Sequence, residues 1–171
     1  WFQVAFMAPF IEFFKRNGSY ALIILTFIAV FRLSDIAMGI MANPFYLDMG
    51  FTKTEIASIS KIFGFFMTLL GAFLGGLSVI RYGVHRPLLL AAGLTAVTNL
   101  LFVNLANMGY DIHGLVMAIS ADNISGGFAG AVFIAYLSSL TNRAFTATQY
   151  ALFTSLMILP GKFFSGFSGI I

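Results

Sequence analysis

Arg32, Asp35, Lys61, Asp122 and Lys162 stand inside long apolar stretches of this sequence. A charge in hydrocarbon is costly, and where one persists it usually pairs with another charge or lines a water-filled path. Buried carboxylates can carry protons and buried cations can hold anions. The residue types therefore point to transport, with Arg32, Lys61 and Lys162 as substrate-binding cations and Asp35 and Asp122 as proton-coupling carboxylates. Three bases against two acids favour an anionic ligand, a carboxylate or a phosphate. Asp35 follows Arg32 by three positions on the same helix face, where a mutual ion pair reduces the desolvation cost of both. Asn123 adds an amide beside Asp122, and Ser125-Gly126-Gly127 after it lets backbone or ligand approach closely. Lys162 comes two residues after Pro160, which frees a backbone carbonyl and bends its helix. Each of these residues also has a purely structural reading: the Arg32–Asp35 pair fastens two helices, Lys61 snorkels to the surface, and Pro160 serves packing.

No arrangement for catalysis accompanies these charges. The chain has no HExxH, no GxSxG and no phosphate-cradling loop, and His85 and His113 fall in or near loops on opposite sides. An enzyme is not expected, nor is a metal or cofactor. With no cysteine, disulfides and thiolate metal sites are excluded. The net charge of +3 is small and scattered, without a basic stripe interleaved with aromatics, so nucleic acid is not an expected partner.

The elements that would position these residues are membrane helices. Hydrophobic residues make up 60% of the chain, 21 are Phe and only 9% are charged, far from the composition of a soluble domain. The expected fold is all-α and polytopic. Five spans are predicted at 20–43, 55–80, 87–106, 112–140 and 147–171, each long enough to cross a bilayer. At 1.5 Å per residue Arg32 lies about 18 Å along the first span and Asp122 about 15 Å along the fourth, both near mid-depth. Residues 1–19 are predicted to form an interfacial segment, in which Phe alternates with charges over Ala8-Pro-Phe-Ile-Glu-Phe-Phe-Lys-Arg-Asn17. Lys15, Arg16, Arg81, Arg86 and Arg143 fall on one side, against Lys53 beside Asp48, Glu55 and Asp111 on the other, so the first set is expected in the cytoplasm. Gly71-xxx-Gly75 and Gly126-xxx-Gly130 permit close helix crossing. The sequence begins at Trp1 and ends at Ile171 within an apolar run, and reads as a fragment of a larger transporter.

The loop after the second span, Gly76-Leu-Ser-Val-Ile80-Arg81-Tyr-Gly83-Val-His85-Arg86, resembles the major-facilitator loop signature. Gly76, Arg81, Gly83 and Arg86 match it, while Ile80 replaces the usual acid and His85 one usual base. A second resemblance covers nearly the whole chain. Ala8-Pro-Phe-x-Glu-Phe-Phe, Phe31-Arg-Leu-Ser-Asp35, Ser60-Lys-Ile-Phe-Gly64, Asp122-Asn-x-Ser-Gly-Gly127 and Thr146-Ala-Thr-Gln-Tyr-Ala151 together resemble the carboxy-terminal half of AmpG-type muropeptide permeases. That resemblance implies helices seven to eleven of a twelve-helix protein of the bacterial inner membrane, importing anhydro-muropeptides with protons and completed by an amino-terminal half. It also makes Gln149 a substrate-binding candidate, beside the alternative of a helix-start hydrogen bond.

Expected partners are membrane lipid, a small anionic substrate, protons and the missing amino half. The expected mechanism is alternating access, two halves rocking about a midplane site. The helices are also similar to those of acetyl-coenzyme A transporters, which likewise take an anion. A reading of another class stays open, a membrane scaffold or transport-inactive remnant whose charges only hold helices together.

Overall fold

A computed structural model describes the backbone of residues 7–167 and the side chains of residues 7–163. The described residues form α1 (Ala8–Asn17), α2 (Tyr20–Phe31), α3 (Leu33–Asp48), α4 (Lys53–Ala57), a π-helical turn at Ser58–Phe63, α5 (Gly64–Tyr82), α6 (His85–Met108), α7 (Ile112–Leu140) and α8 (Thr146–Phe167). No strand occurs among them. The protein is a polytopic helical membrane protein.

Four stretches are long and apolar enough to cross a bilayer: Tyr20–Asp48, Lys53–Tyr82, His85–Met108 and Ile112–Leu140. The predicted count of five is thereby corrected to four among the described residues. The fifth expected span is the helix α8, whose polar start Thr-Ala-Thr-Gln-Tyr and mid-helix Pro160-Gly161-Lys162 dilute its apolar character. The end of that predicted span, from residue 168 on, lies outside the described residues. Phe65, Phe66, Phe73 and Ile80 on α5, and Leu89, Leu100 and Val103 on α6, are exposed. Such outward apolar faces suit a hydrocarbon solvent, provided the backbone bonds internally, as it does in helices.

The described residues divide into two compact units, 7–40 with 137–167, and 41–136. In the first, α2 packs on α8 and α1 lies against both. Pro9 in the first turn of α1 suits a position that needs no N–H partner, and Lys15 and Arg16 occupy the last turn, where cations complement the helix dipole. Its buried Phe13 meets Phe153 of α8 edge to face, with ring centroids 5.1 Å apart. In the second unit, Leu88, Ala91, Phe102 and Leu105 of α6 and Leu115, Ala118, Ile119 and Phe128 of α7 are buried. Thr52 caps α4 in a reciprocal box with Glu55. Tyr110 donates to Glu55 Oε1 at 2.8 Å and its ring lies 4.8 Å from that of Phe51. The 49–52 and 109–111 loops therefore share one end of this unit. Asp111 caps α7, accepting from the backbone N–H groups of His113 and Gly114.

Helices α5 and α7 cross almost backbone to backbone. A Cβ at Gly71 would fall on the Ile124 carbonyl, one at Gly127 on the Thr68 carbonyl, and one at Gly75 would lie 2.7 Å from the Phe128 carbonyl oxygen. The Gly71-xxx-Gly75 pattern is used as expected. On α7 the contact falls on Gly127, whereas Gly126 faces open space.

Candidate functional site

The first apolar stretch is not one continuous helix: α2 ends at Phe31 and α3 begins at Leu33, with Arg32 between them at φ −98°, ψ 2°. Ser34 and Asp35 follow at once, residues whose side chains compete with the backbone for hydrogen bonds. The break sets Arg32 at the negative end of α2 and Asp35 in the first, positive turn of α3, so each charge complements its helix dipole as well as the other. Arg32 Nε lies 3.4 Å from Asp35 Oδ2, with both side chains part-exposed. The interruption falls here, while α8 continues through Pro160 and α3 through Pro44.

Arg32 and Lys162 line one open cavity of about 510 Å³, with Ile36, Ile40, Met157, Ile158 and Gly161 as its apolar walls. Gly161 lets α8 approach α3, since a Cβ there would meet Ile36 Cδ1 at 2.5 Å. The arrangement is two cations, with Asp35 paired to Arg32, around a space large enough for part of a small molecule. It can hold an anionic group, and an anion arriving at Arg32 competes directly with Asp35 for the guanidinium.

Lys61 sits elsewhere, in the π-helical turn, whose wide ring is closed by the Gly64 N–H bonding to the Ile59 carbonyl five residues back. Such turns usually represent one extra residue within an α-helix and recur at functional sites. Lys61 and Lys53 line a cavity of about 310 Å³ with Asn43, Leu47, Ile56, Ala57 and Ser60.

Asn123 lies at the α5–α7 crossing. Its Oδ1 accepts from Thr68 Oγ1 at 2.9 Å, its Nδ2 donates to the Ile119 carbonyl at 2.8 Å, and a Cβ at Gly64 would lie 3.1 Å from it. The neighbouring Asp122 acts electrostatically on Tyr46, a residue only 5% exposed. Of the loop residues, Gly83 takes φ +73° at the end of α5, and Arg81 stacks its guanidinium over the Tyr82 ring at 5.6 Å. A Cβ at Gly76 would meet open space, and Arg86 is exposed.

Gln149 is fully buried in a polar knot that ties α1 to the loop before α8. Its Nε2 donates to the Pro9 carbonyl at 2.9 Å and to Glu12 Oε2 at 2.6 Å, and its Oε1 accepts from the Asn142 N–H at 2.7 Å. Asn142 Nδ2 donates to Glu12 Oε1 at 2.7 Å, and Arg16 bonds the Leu140 carbonyl while lying 3.6 Å from Glu12. Burial works to raise the Glu12 carboxyl, but the hydrogen bonds from Asn142 and Gln149 and the Arg16 charge outweigh it and hold the group below the usual glutamate value. Sequence reasoning did not find this knot. The signals were an acid among the Phe residues of the amphipathic segment and the helix-start hydrogen bond offered for Gln149, and partners more than 120 positions away cannot be paired by spacing.

No family model matches the chain. It is similar to proteins named "Putative transporter AmpG": number 4 of Rickettsia conorii, 35% identical over 147 residues that cover 86% of this chain and 35% of the relative, and number 3 of Rickettsia prowazekii, 34% identical over 157 residues that cover 92% and 37%. An uncharacterized protein of Haemophilus influenzae is 33% identical over 178 residues, 99% of this chain and 42% of its own length. The chain thus spans little more than a third of the length of the first of these relatives. The resemblance read from the five sequence fragments holds along nearly the entire chain, which is related to the AmpG-type transporters.

Proposed function

We propose that the protein is a secondary transporter of the bacterial inner membrane that imports anionic cell-wall fragments, anhydro-muropeptides, and that Arg32 and Lys162 hold a substrate carboxylate. The observation that carries this reading is the cavity of about 510 Å³ where these two cations meet beside a helix interruption and the Asp35 carboxylate. Interrupted helices that direct polar groups into a cavity are the usual way for transporters to bind charged cargo. In this reading the chain contributes part of a major-facilitator-type bundle from the carboxy-terminal half, and the loop residues Gly76, Arg81, Gly83 and Arg86 act in alternating access. The basic surplus of the cavity suits a cargo with several carboxylates.

Coupling follows from the Arg32–Asp35 pair. With the cavity empty, Arg32 stabilises the Asp35 anion; a substrate carboxylate that engages Arg32 withdraws this support, and Asp35 takes up a proton. Substrate and proton then enter together. Asp122 is a second carboxylate available for the same task.

The test is uptake of labelled anhydro-muropeptide into right-side-out vesicles containing the intact protein, with and without an imposed proton gradient. Gradient-stimulated uptake is expected. Arg32→Ala removes a charged hydrogen bond of about 1.5–3 kcal/mol, so the half-saturation concentration should rise about 10- to 100-fold. Asp35→Asn should lose gradient-driven accumulation and keep substrate exchange. Fully coupled uptake in Asp35→Asn and Asp122→Asn alike would reject the proton route, and absence of uptake in well-folded protein would reject the cargo.

A further inference from the structure

Lys53 and Lys61 lie eight residues apart on one face of the second span, together with Ile56, Ala57 and Ser60, and this face meets Asn43 and Leu47 on the last turns of α3. Lys53, Lys61 and Asn43 all line a space of about 310 Å³. Neither lysine has an ion-pair or hydrogen-bond partner among the described residues. The acid nearest in sequence, Glu55, is fully committed, its Oε2 accepting from the Thr52 N–H and hydroxyl and its Oε1 from Tyr110. Asp48, at the end of α3, forms no ion pair either. Two cations thus converge on one cavity with no carboxylate to neutralise them. Both lysines are exposed, and like charges that line one cavity repel each other, so an anion between them relieves that repulsion while gaining from both. Snorkelling alone would not need a cavity, and Lys53 already supplies a surface anchor on this side.

We infer that this seam between α3 and the second span is an anion-binding site, separate from the Arg32–Lys162 cavity, that takes a compact carboxylate or phosphate group between Lys53 and Lys61. The Asn43 amide donates to the same group. The volume admits one such headgroup or the anionic end of a larger solute, at the lower limit of small-molecule sites. The chemistry is shared by a soluble anion and by the headgroup of an anionic lipid, and the site does not depend on the transport reading.

Ser60 lines the cavity, and the chain has no cysteine of its own, so Ser60→Cys in an otherwise cysteine-free, intact protein gives a reporter thiol. Its reaction rates with sulfonatoethyl and trimethylammonioethyl methanethiosulfonate, each divided by the rate with a free thiol, report the local potential. In phosphatidylcholine nanodiscs the anionic reagent should be favoured about tenfold, as expected for a focused positive field. Lys53→Gln with Lys61→Gln should abolish the preference. Citrate at millimolar concentration in neutral discs should slow the anionic reagent if a soluble anion fills the site, and phosphatidylglycerol without citrate should do so if a headgroup does. Either protection, or both, supports the site. An unreactive thiol, no charge preference, a preference unchanged in the double variant, or one that neither citrate nor phosphatidylglycerol alters would overturn it. Loss of muropeptide uptake with the charge preference intact would remove the transport reading alone.

Discussion

Replacing Gly127 by alanine should destabilise the protein severely, whereas the same change at Gly126 should leave it as stable or slightly more so. The contrast follows from the α5–α7 crossing. A methyl group at residue 127 would occupy the position of the Thr68 carbonyl oxygen, and one at residue 71 that of the Ile124 carbonyl oxygen, while residue 126 faces open space. The atoms in the way are backbone, which cannot rotate aside as a side chain can, so the two helices must separate along their whole contact. Overpacking commonly costs about 1–3 kcal/mol, and here the strain falls on a rigid pair, so the upper part of that range or beyond is expected. At Gly126 only helix propensity changes, in favour of alanine by about 0.5–1 kcal/mol. Separation would also pull Asn123 from Thr68 and leave polar groups unsatisfied within the bundle. The measurement is the temperature at which purified protein in detergent loses its monodisperse peak. Gly71→Ala and Gly127→Ala should fall far below the parent, and Gly126→Ala should match it; equal behaviour of residues 126 and 127 would disprove the crossing.

Gln149→Leu should release α1 from the rest of its unit. The substitution keeps the volume of a fully buried side chain but removes the acceptor of the Asn142 N–H and the donor to Glu12 Oε2 and the Pro9 carbonyl. An orphaned buried polar group costs about 1–3 kcal/mol, and because Glu12 and Asn142 are part-exposed the total should stay within that range. The expected readout is fast hydrogen exchange and proteolysis across residues 8–17, with the spans unaffected. Unchanged protection there would show that Phe13 against Phe153 suffices to dock the helix. Acid should act in opposite directions on two forms of the knot. In the parent, the folded Glu12 carboxyl lies below its ordinary value of 4.5, so its contribution is complete above that value and is lost as the pH falls through the depressed one. In Gln149→Glu a second carboxylate faces Glu12. Docking should then be weak at neutral pH and recover on mild acidification, when one proton can be shared between the two groups. The same exchange measurement at pH 7 and near pH 5 separates the two.

The Arg32–Asp35 pair was legible in the sequence because both partners lie within one helical turn, where spacing alone decides contact. The apolar stretches were legible by length. What spacing could not supply was every contact made across helices. Lys53 read as a surface anchor and Lys61 as a buried cation, and only the packing of α3 against the second span sets them on one cavity. Adjacent glycines point about 100° apart on a helix, so choosing between Gly126 and Gly127 required the partner helix. The fifth predicted span illustrates a different limit: length suggested it, yet the polar first turn and the Pro160-Gly161-Lys162 insertion leave α8 a helix less apolar than the four spans. A bend was expected at Pro160 because proline frees a backbone carbonyl, and α8 continues through it. The interruption lies at Arg32, where a dipole and a charge pair on both sides of the gap stabilise the ends that a break exposes.

The π-helical turn at residues 58–63 holds one residue more than the α-helix around it would need. That surplus cannot vanish within the helix; it can migrate, one position at a time, toward residue 53 or toward residue 82. Each step toward residue 82 would re-index the residue it passes by about a quarter-turn relative to α7. Gly64 would be the first to swing away from Asn123, then Gly71 from Ile124, bringing side chains onto carbonyl oxygens where only glycine fits. The glycine stripe therefore opposes movement of the extra residue toward residue 82.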